Sequence, residues 1–181
     1  AADNWRARMI ALLAARYPDG VWIESELTDH SLFDRWFTRG RGDFSAAMTE
    51  LGTAVHESAH VAGLMQRRGR RHLLLLAKGE KVSFAIPASF HRSQLAEVLP
   101  PAVRALSYTS TYLSGSSGAQ GFEMVLEELN AYTHSLYVAV AVASELPASM
   151  RMSSRDGLLV FLYYVEAYLR LARTKHPKVY A

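Results

Sequence analysis

Apolar and polar residues alternate along this chain mainly with helical spacing. Residues 3–16 (DNWRARMIALLAAR), 44–68, 121–143 and 154–174 read as helices, and Thr28 to Phe37 reads as another. Tyr17-Pro18-Asp19-Gly20 closes the first, and Val21-Trp22-Ile23 follows as a short strand candidate. Gly40-Arg41-Gly42 is a break, with Asp43 the N-cap of the next helix. His72 to Ala77 and Lys81 to Ile86 flank Lys78-Gly79-Glu80, which is a hairpin signal. Pro87, Pro100 and Pro101 punctuate a short helix around 91–99, and residues 102–113 fit helix and strand equally. Ser114 to Gly121 (SGSSGAQG) reads as a flexible loop or lid. The expected fold is α+β, predominantly helical, with one small β-hairpin and a single domain over residues 1–181.

The helix at 44–68 carries the sequence's most specific feature, His56-Glu57-Ser58-Ala59-His60. Two histidines four residues apart leave a helix from the same face, one turn apart. Both imidazoles can then reach one metal ion, and the glutamate between them can reach a water on that ion. With His56 at 0° on a helical wheel, Thr49, His60, Thr53 and Glu57 fall at about 20°, 40°, 60° and 100°. Met48, Leu51, Val55, Ala59, Ala62 and Met65 fill the arc between about 180° and 300° and form a core-facing stripe. A solvated helix would carry Lys and Glu on its open face; this one carries two His, one Glu and two Thr.

Composition narrows the chemistry. The 181 residues are 50% hydrophobic and 20% charged, with a net charge of +3, a globular balance that gives no reason to expect nucleic acid. The basic run Arg67-Arg68-Gly69-Arg70-Arg71 suits a helix C-terminus, and no aromatic interleaving accompanies it. Arg41-Gly42-Asp43 spells an adhesion tripeptide but is better explained by turn and cap chemistry. Cysteine is absent, which removes disulfides, thiolate ligands and cysteine nucleophiles together. No apolar run reaches membrane-spanning length. The Ala1-Ala2-Asp3 start fits either a cleaved export signal, hence a secreted or periplasmic protein, or a trimmed end.

A catalytic zinc takes three protein ligands and keeps a position for water. The extended HExxHxxGxxH pattern of the metzincins is matched at Gly63 but ends on Gln66, a poor zinc ligand, and peptide deformylases supply a cysteine that this chain lacks. The helix at 121–143 offers a carboxylate instead. Met124, Val125, Tyr132, Ser135 and Ala139 fall within about 60° of Glu128, an arc that is mostly apolar. A carboxylate buried there needs a strong partner such as a metal or an arginine. Glu127 falls on the other side with Glu123, Asn130 and His134. His30, His72, His91 and His176 are scattered and read as surface residues.

With His56 to His60 followed tens of residues later by Glu128-Leu129-Asn130-Ala131, the chain resembles the gluzincin branch of the zincin metallopeptidases. The resemblance covers only those two short segments. It implies a zincin-like fold, a Zn2+ ion on His56, His60 and Glu128, Glu57 as general base, and hydrolysis of a protein or peptide substrate. A tyrosine would then stabilise the oxyanion: Tyr132, one turn from Glu128, or Tyr112 or Tyr108, just before the Gly/Ser segment. The alternative is a non-catalytic zinc-binding or interaction domain that keeps the site. Glu57 argues against it, because a purely structural zinc site has no use for a carboxylate between its ligands.

Overall fold

The computed structural model describes residues 2–36, 43–77 and 79–180. In chain order these form α1 (Ala2–Arg16), α2 (Pro18–Ser25), α3 (Ser31–Asp34), α4 (Phe44–Thr49) and α5 (Leu51–Met65), then strands β1 (Arg71–Ala77) and β2 (Glu80–Ala85). A 3-10 segment (Arg92–Glu97) leads to α6 (Pro101–Arg104), α7 (Ser107–Tyr112), α8 (Gly115–Gly118) and α9 (Phe122–Val142). After a 3-10 turn (Ala148–Met150) come α10 (Arg155–Lys175) and α11 (Pro177–Tyr180). The protein is α+β and mostly helical, with one two-stranded antiparallel sheet among the described residues. No helix among the described residues is long and apolar enough to cross a membrane.

Most expected elements appear within a residue or two of the expected bounds, and the departures have physical causes. Val21-Trp22-Ile23 lies in a helix, not a strand. Pro18 stands at the first helical position, where its fixed φ suits a helix start. Gly20 lets α2 lie close to α1, since a Cβ there would sit 3.1 Å from Leu13. The helix expected over Thr28 to Phe37 contracts to Ser31–Asp34. Phe37, the Gly40-Arg41-Gly42 break and the first two residues of the Arg41-Gly42-Asp43 tripeptide lie outside the described residues. The helix expected over 44–68 is two, α4 and α5, separated by a turn residue, Glu50. Asp43 caps α4, its Oδ1 accepting from the Ala46 N–H at 2.7 Å. Residues 102–113 resolve as two short helices, α6 and α7, separated by a turn at 105–106.

The described chain divides into two compact units. One comprises Ala1–Phe84 and Asn130–Arg155, the other Ala85–Leu129 and Asp156–Ala181, and α9 runs unbroken through residues of both. The core of the first unit joins Met9 and Leu13 of α1, Ile23 of α2 and Phe33 of α3. Met48, Leu51, Val55, Ala59 and Ala62 of the expected apolar stripe join them. Met65, assigned to that stripe, is exposed at the helix end. Helix α5 lies directly on β1: a Cβ at Gly63 would stand 2.8 Å from the Leu73 carbonyl oxygen. Gly63→Val is therefore expected to destabilise the fold by about 3 kcal/mol through overpacking, against only a few tenths regained in helix propensity. Urea unfolding midpoints measure this; an unchanged midpoint would refute the close approach. The hairpin turns through Gly79 at φ +79°, a conformation glycine adopts without strain.

In the second unit Phe90 stacks on Tyr168 at 4.0 Å and on His176 at 4.4 Å. The Tyr168 hydroxyl donates to the Phe90 carbonyl at 2.6 Å and accepts from the Phe90 N–H at 2.9 Å. Burial pushes that phenol up to about 12, so it stays a donor. Leu95, Leu113, Val125, Phe161, Tyr164 and Leu171 are also buried in this unit.

Candidate metal centre

Helix α5 and the C-terminal part of α9 pack side by side, and small residues set their spacing. A Cβ at Gly52 would stand 3.2 Å from Ser135 Oγ. One turn further along α5, the His56 ring meets Tyr132 edge-on, with centroids 4.7 Å apart. As residue numbers rise on α5 they fall on α9, so the two helices run antiparallel. Glu128 lies four residues before Tyr132 on the same unbroken helix.

Donor atoms of His56, His60 and Glu128 lie within 4.8 Å of one another. The Nε2 atoms of the two histidines are 3.2 Å apart. Two Zn–N bonds of about 2.0–2.1 Å at a tetrahedral angle span about 3.3 Å between nitrogens. The imidazoles thus already have the separation that a shared ion requires, and the donor set of two nitrogens and a carboxylate oxygen suits zinc. His56 is 8% exposed and Glu128 9%, whereas His60 and Glu57 are half-buried. Glu127, expected on the polar side of α9, is also buried, at 8% exposed, but does not belong to the ligand group.

Behind the centre lies a polar network that sequence patterning did not reveal. His134, expected on the polar side of α9 with Glu127, is 2% exposed. Its Nε2 bonds the Leu75 carbonyl of β1 at 2.7 Å, and Asn130 Nδ2 donates to the same oxygen at 3.0 Å. A carbonyl only accepts, so Nε2 carries the proton; Nδ1 accepts from the Tyr17 hydroxyl at 2.5 Å. Burial depresses the His134 pKa, and His56 depresses it further, while the bond to Leu75 and the charge of Asp19 oppose the shift.

A histidine depressed below its unfolded value near 6.5 is protonated more readily in the unfolded chain. Its contribution is complete above that pH and is lost as pH falls through it. The metal-free protein should therefore unfold at lower urea concentration at pH 5.5 than at pH 7.5. His134→Gln, which can still donate to Leu75 and accept from Tyr17, should weaken that dependence. An identical pH dependence in both proteins would refute the assignment.

Tyr112 is half-buried, edge-on to Phe161 at 4.8 Å and beneath the Arg92 guanidinium at 5.4 Å. Tyr108 lies parallel to Tyr112 with ring centroids 6.4 Å apart. His72 is buried against Phe84, contrary to its expected surface position; His30 pairs with Glu24 at 2.7 Å. In the basic run, Arg71 donates to Ser83 across the hairpin, while Arg68 and Arg70 are exposed. Ser114 to Gly121 contains a helical turn, α8, with Gly118 buried against Leu113. The side chain that holds this turn, Arg92, carried no signal in the sequence: it is a lone arginine in an unremarkable short helix. No protein-family model, curated protein or solved structure matches the chain.

Proposed function

We propose that this protein is a zinc-dependent peptidase of the zincin type, gluzincin-like in its ligand order, with His56, His60 and Glu128 holding the ion. The observation that carries the reading is the group of three donors, with its two histidine nitrogens 3.2 Å apart around an HExxH turn. A bound zinc supplies Lewis acidity and brings the pKa of a coordinated water to about 7. The chain's residues do the rest. Glu57 lies about 60° round α5 from His60, beside the ligands but displaced from them. It accepts the proton of the attacking water and delivers it to the leaving amine, so that the peptide bond breaks with no net change in its own protonation. Tyr132, edge-on to His56, is the tyrosine best set to donate to the oxygen that gains charge. Glu128 anchors the ion from the second helix.

The test is hydrolysis of unfolded casein and of a mixed peptide library by the zinc-loaded chain. Cleavage that stops with a chelator and returns with zinc supports the proposal. Stoichiometric zinc with no cleavage of either substrate would favour a non-catalytic zinc-binding domain.

A further inference from the structure

Arg92 has the largest side chain among the fully buried residues and is 0% exposed. Its Nε donates to the Ser117 carbonyl at 2.8 Å and its Nη2 to the Ser117 hydroxyl. Its backbone N–H donates to the Gln120 carbonyl at 2.8 Å. Three bonds from one residue thus fix the turn that enters α9. The entry is tight: a Cβ at Gly121 would collide with Ser89 Oγ and with Glu123. The turn releases the chain into α9 two residues after Gln120, and Glu128 follows within two helical turns.

The guanidinium is charged, yet both acceptors on Ser117 are neutral, and its Nη1 is buried with no hydrogen-bond partner among the described residues. A buried cation with only neutral acceptors is costly unless anions lie within reach of its field. Glu128 is the foremost of the anions acting on Arg92, with Glu127 a lesser contributor; both favour its charged form against a pKa that burial lowers. A carboxylate buried on that arc needs a metal or a cation, and the charge of Arg92 acts on it in the same direction as an ion held with His56 and His60 would.

We propose that Arg92 is the positioning residue for Glu128: it fixes the turn from which the ligand helix starts and so sets where that helix presents the carboxylate that would hold the metal. This inference rests on the metal centre proposed above. Carboxylate ligands are commonly held by outer hydrogen-bonding or charged partners, and loss of such a partner typically weakens metal binding about 10–100-fold.

The test is zinc affinity, measured by competition with a chromophoric chelator well below the unfolding temperature. Arg92→Gln should weaken binding about 10–100-fold. Arg92→Lys, which keeps the charge but loses the fork that grips Ser117, should recover part of that loss. In a Glu128→Gln background, Arg92→Gln should add no further loss, because the side chain it positions is no longer a charged ligand. A merely structural role would lower the unfolding temperature, leave affinity unchanged, or weaken it equally in both backgrounds; either of the latter two results overturns the inference. Should Arg92→Gln fail to fold, Ser117→Ala removes one of the two side-chain bonds and should weaken zinc in the same direction, to a smaller extent. Unchanged affinity there also overturns it. Absence of zinc binding in the unmutated protein would overturn the metal centre itself, and that result is read before any variant is made.

Discussion

Glu57→Gln should leave zinc content and thermal stability unchanged and reduce peptide hydrolysis at least 10²–10⁴-fold, the usual range for loss of a general base. The loss should fall towards the upper end, because the same carboxylate is asked to take a proton from water and return it to the amine. Glutamine preserves size and hydrogen-bonding reach but cannot accept a proton. Glu57 is half-buried on the exposed side of α5, so the exchange removes no core contact. The readouts are zinc per chain, the unfolding temperature and the rate of casein cleavage. Undiminished activity would remove Glu57 from the mechanism.

Much of the centre was legible because it is local. The relation of His56 to His60 is fixed by helix geometry alone, and the apolar stripe of α5 identified the face opposite to it. Glu128 was legible for a different reason: a carboxylate on an otherwise apolar arc needs a partner, whatever the partner is. The same wheel misplaced Glu127 and His134. Helix α9 is buried on more than one side, and a two-sided pattern assumes a solvent face that this helix lacks over those turns. His134 finds its partners 117 residues away at Tyr17 and 59 away at Leu75, distances at which periodicity carries no information.

Two other departures share a tertiary origin. Val21-Trp22-Ile23 is too short to distinguish a period of 2 from one of 3.6, and packing on α1 decided for helix. Ser114 to Gly121 has the composition of a free loop, but Arg92 binds Ser117 and Gln120 and converts it into a packed turn. Glycine here serves close approach rather than flexibility, since a Cβ at Gly118 would stand 2.8 Å from the Leu113 backbone.

Loss of either histidine should have the largest effect on metal binding. Zinc held by a full protein site carries about 10–16 kcal/mol of apparent binding energy, so one of its ligands accounts for roughly 2.5–4 kcal/mol, or about 10²–10³ in affinity. His60→Ala should show this loss most cleanly, because His60 is half-buried while His56 also packs on Tyr132. Zinc at a thousandfold excess over its dissociation constant stabilises a folded protein by about 4.1 kcal/mol. The parent chain should therefore unfold at a clearly higher temperature with zinc than with chelator, and His60→Ala should show little of that difference at the same zinc concentration. A zinc-dependent rise of equal size in His60→Ala would place the ion elsewhere.

The most direct test of the centre compares neighbouring carboxylates. Glu127 and Glu128 are adjacent on α9 and about equally buried, so exchange for glutamine perturbs the core similarly at either position. Only Glu128 belongs to the group formed with His56 and His60. Zinc per chain after equilibrium dialysis should be one in the parent protein and in Glu127→Gln, and well below one in Glu128→Gln. Full occupancy in Glu128→Gln, with zinc lost from Glu127→Gln, would contradict the assignment.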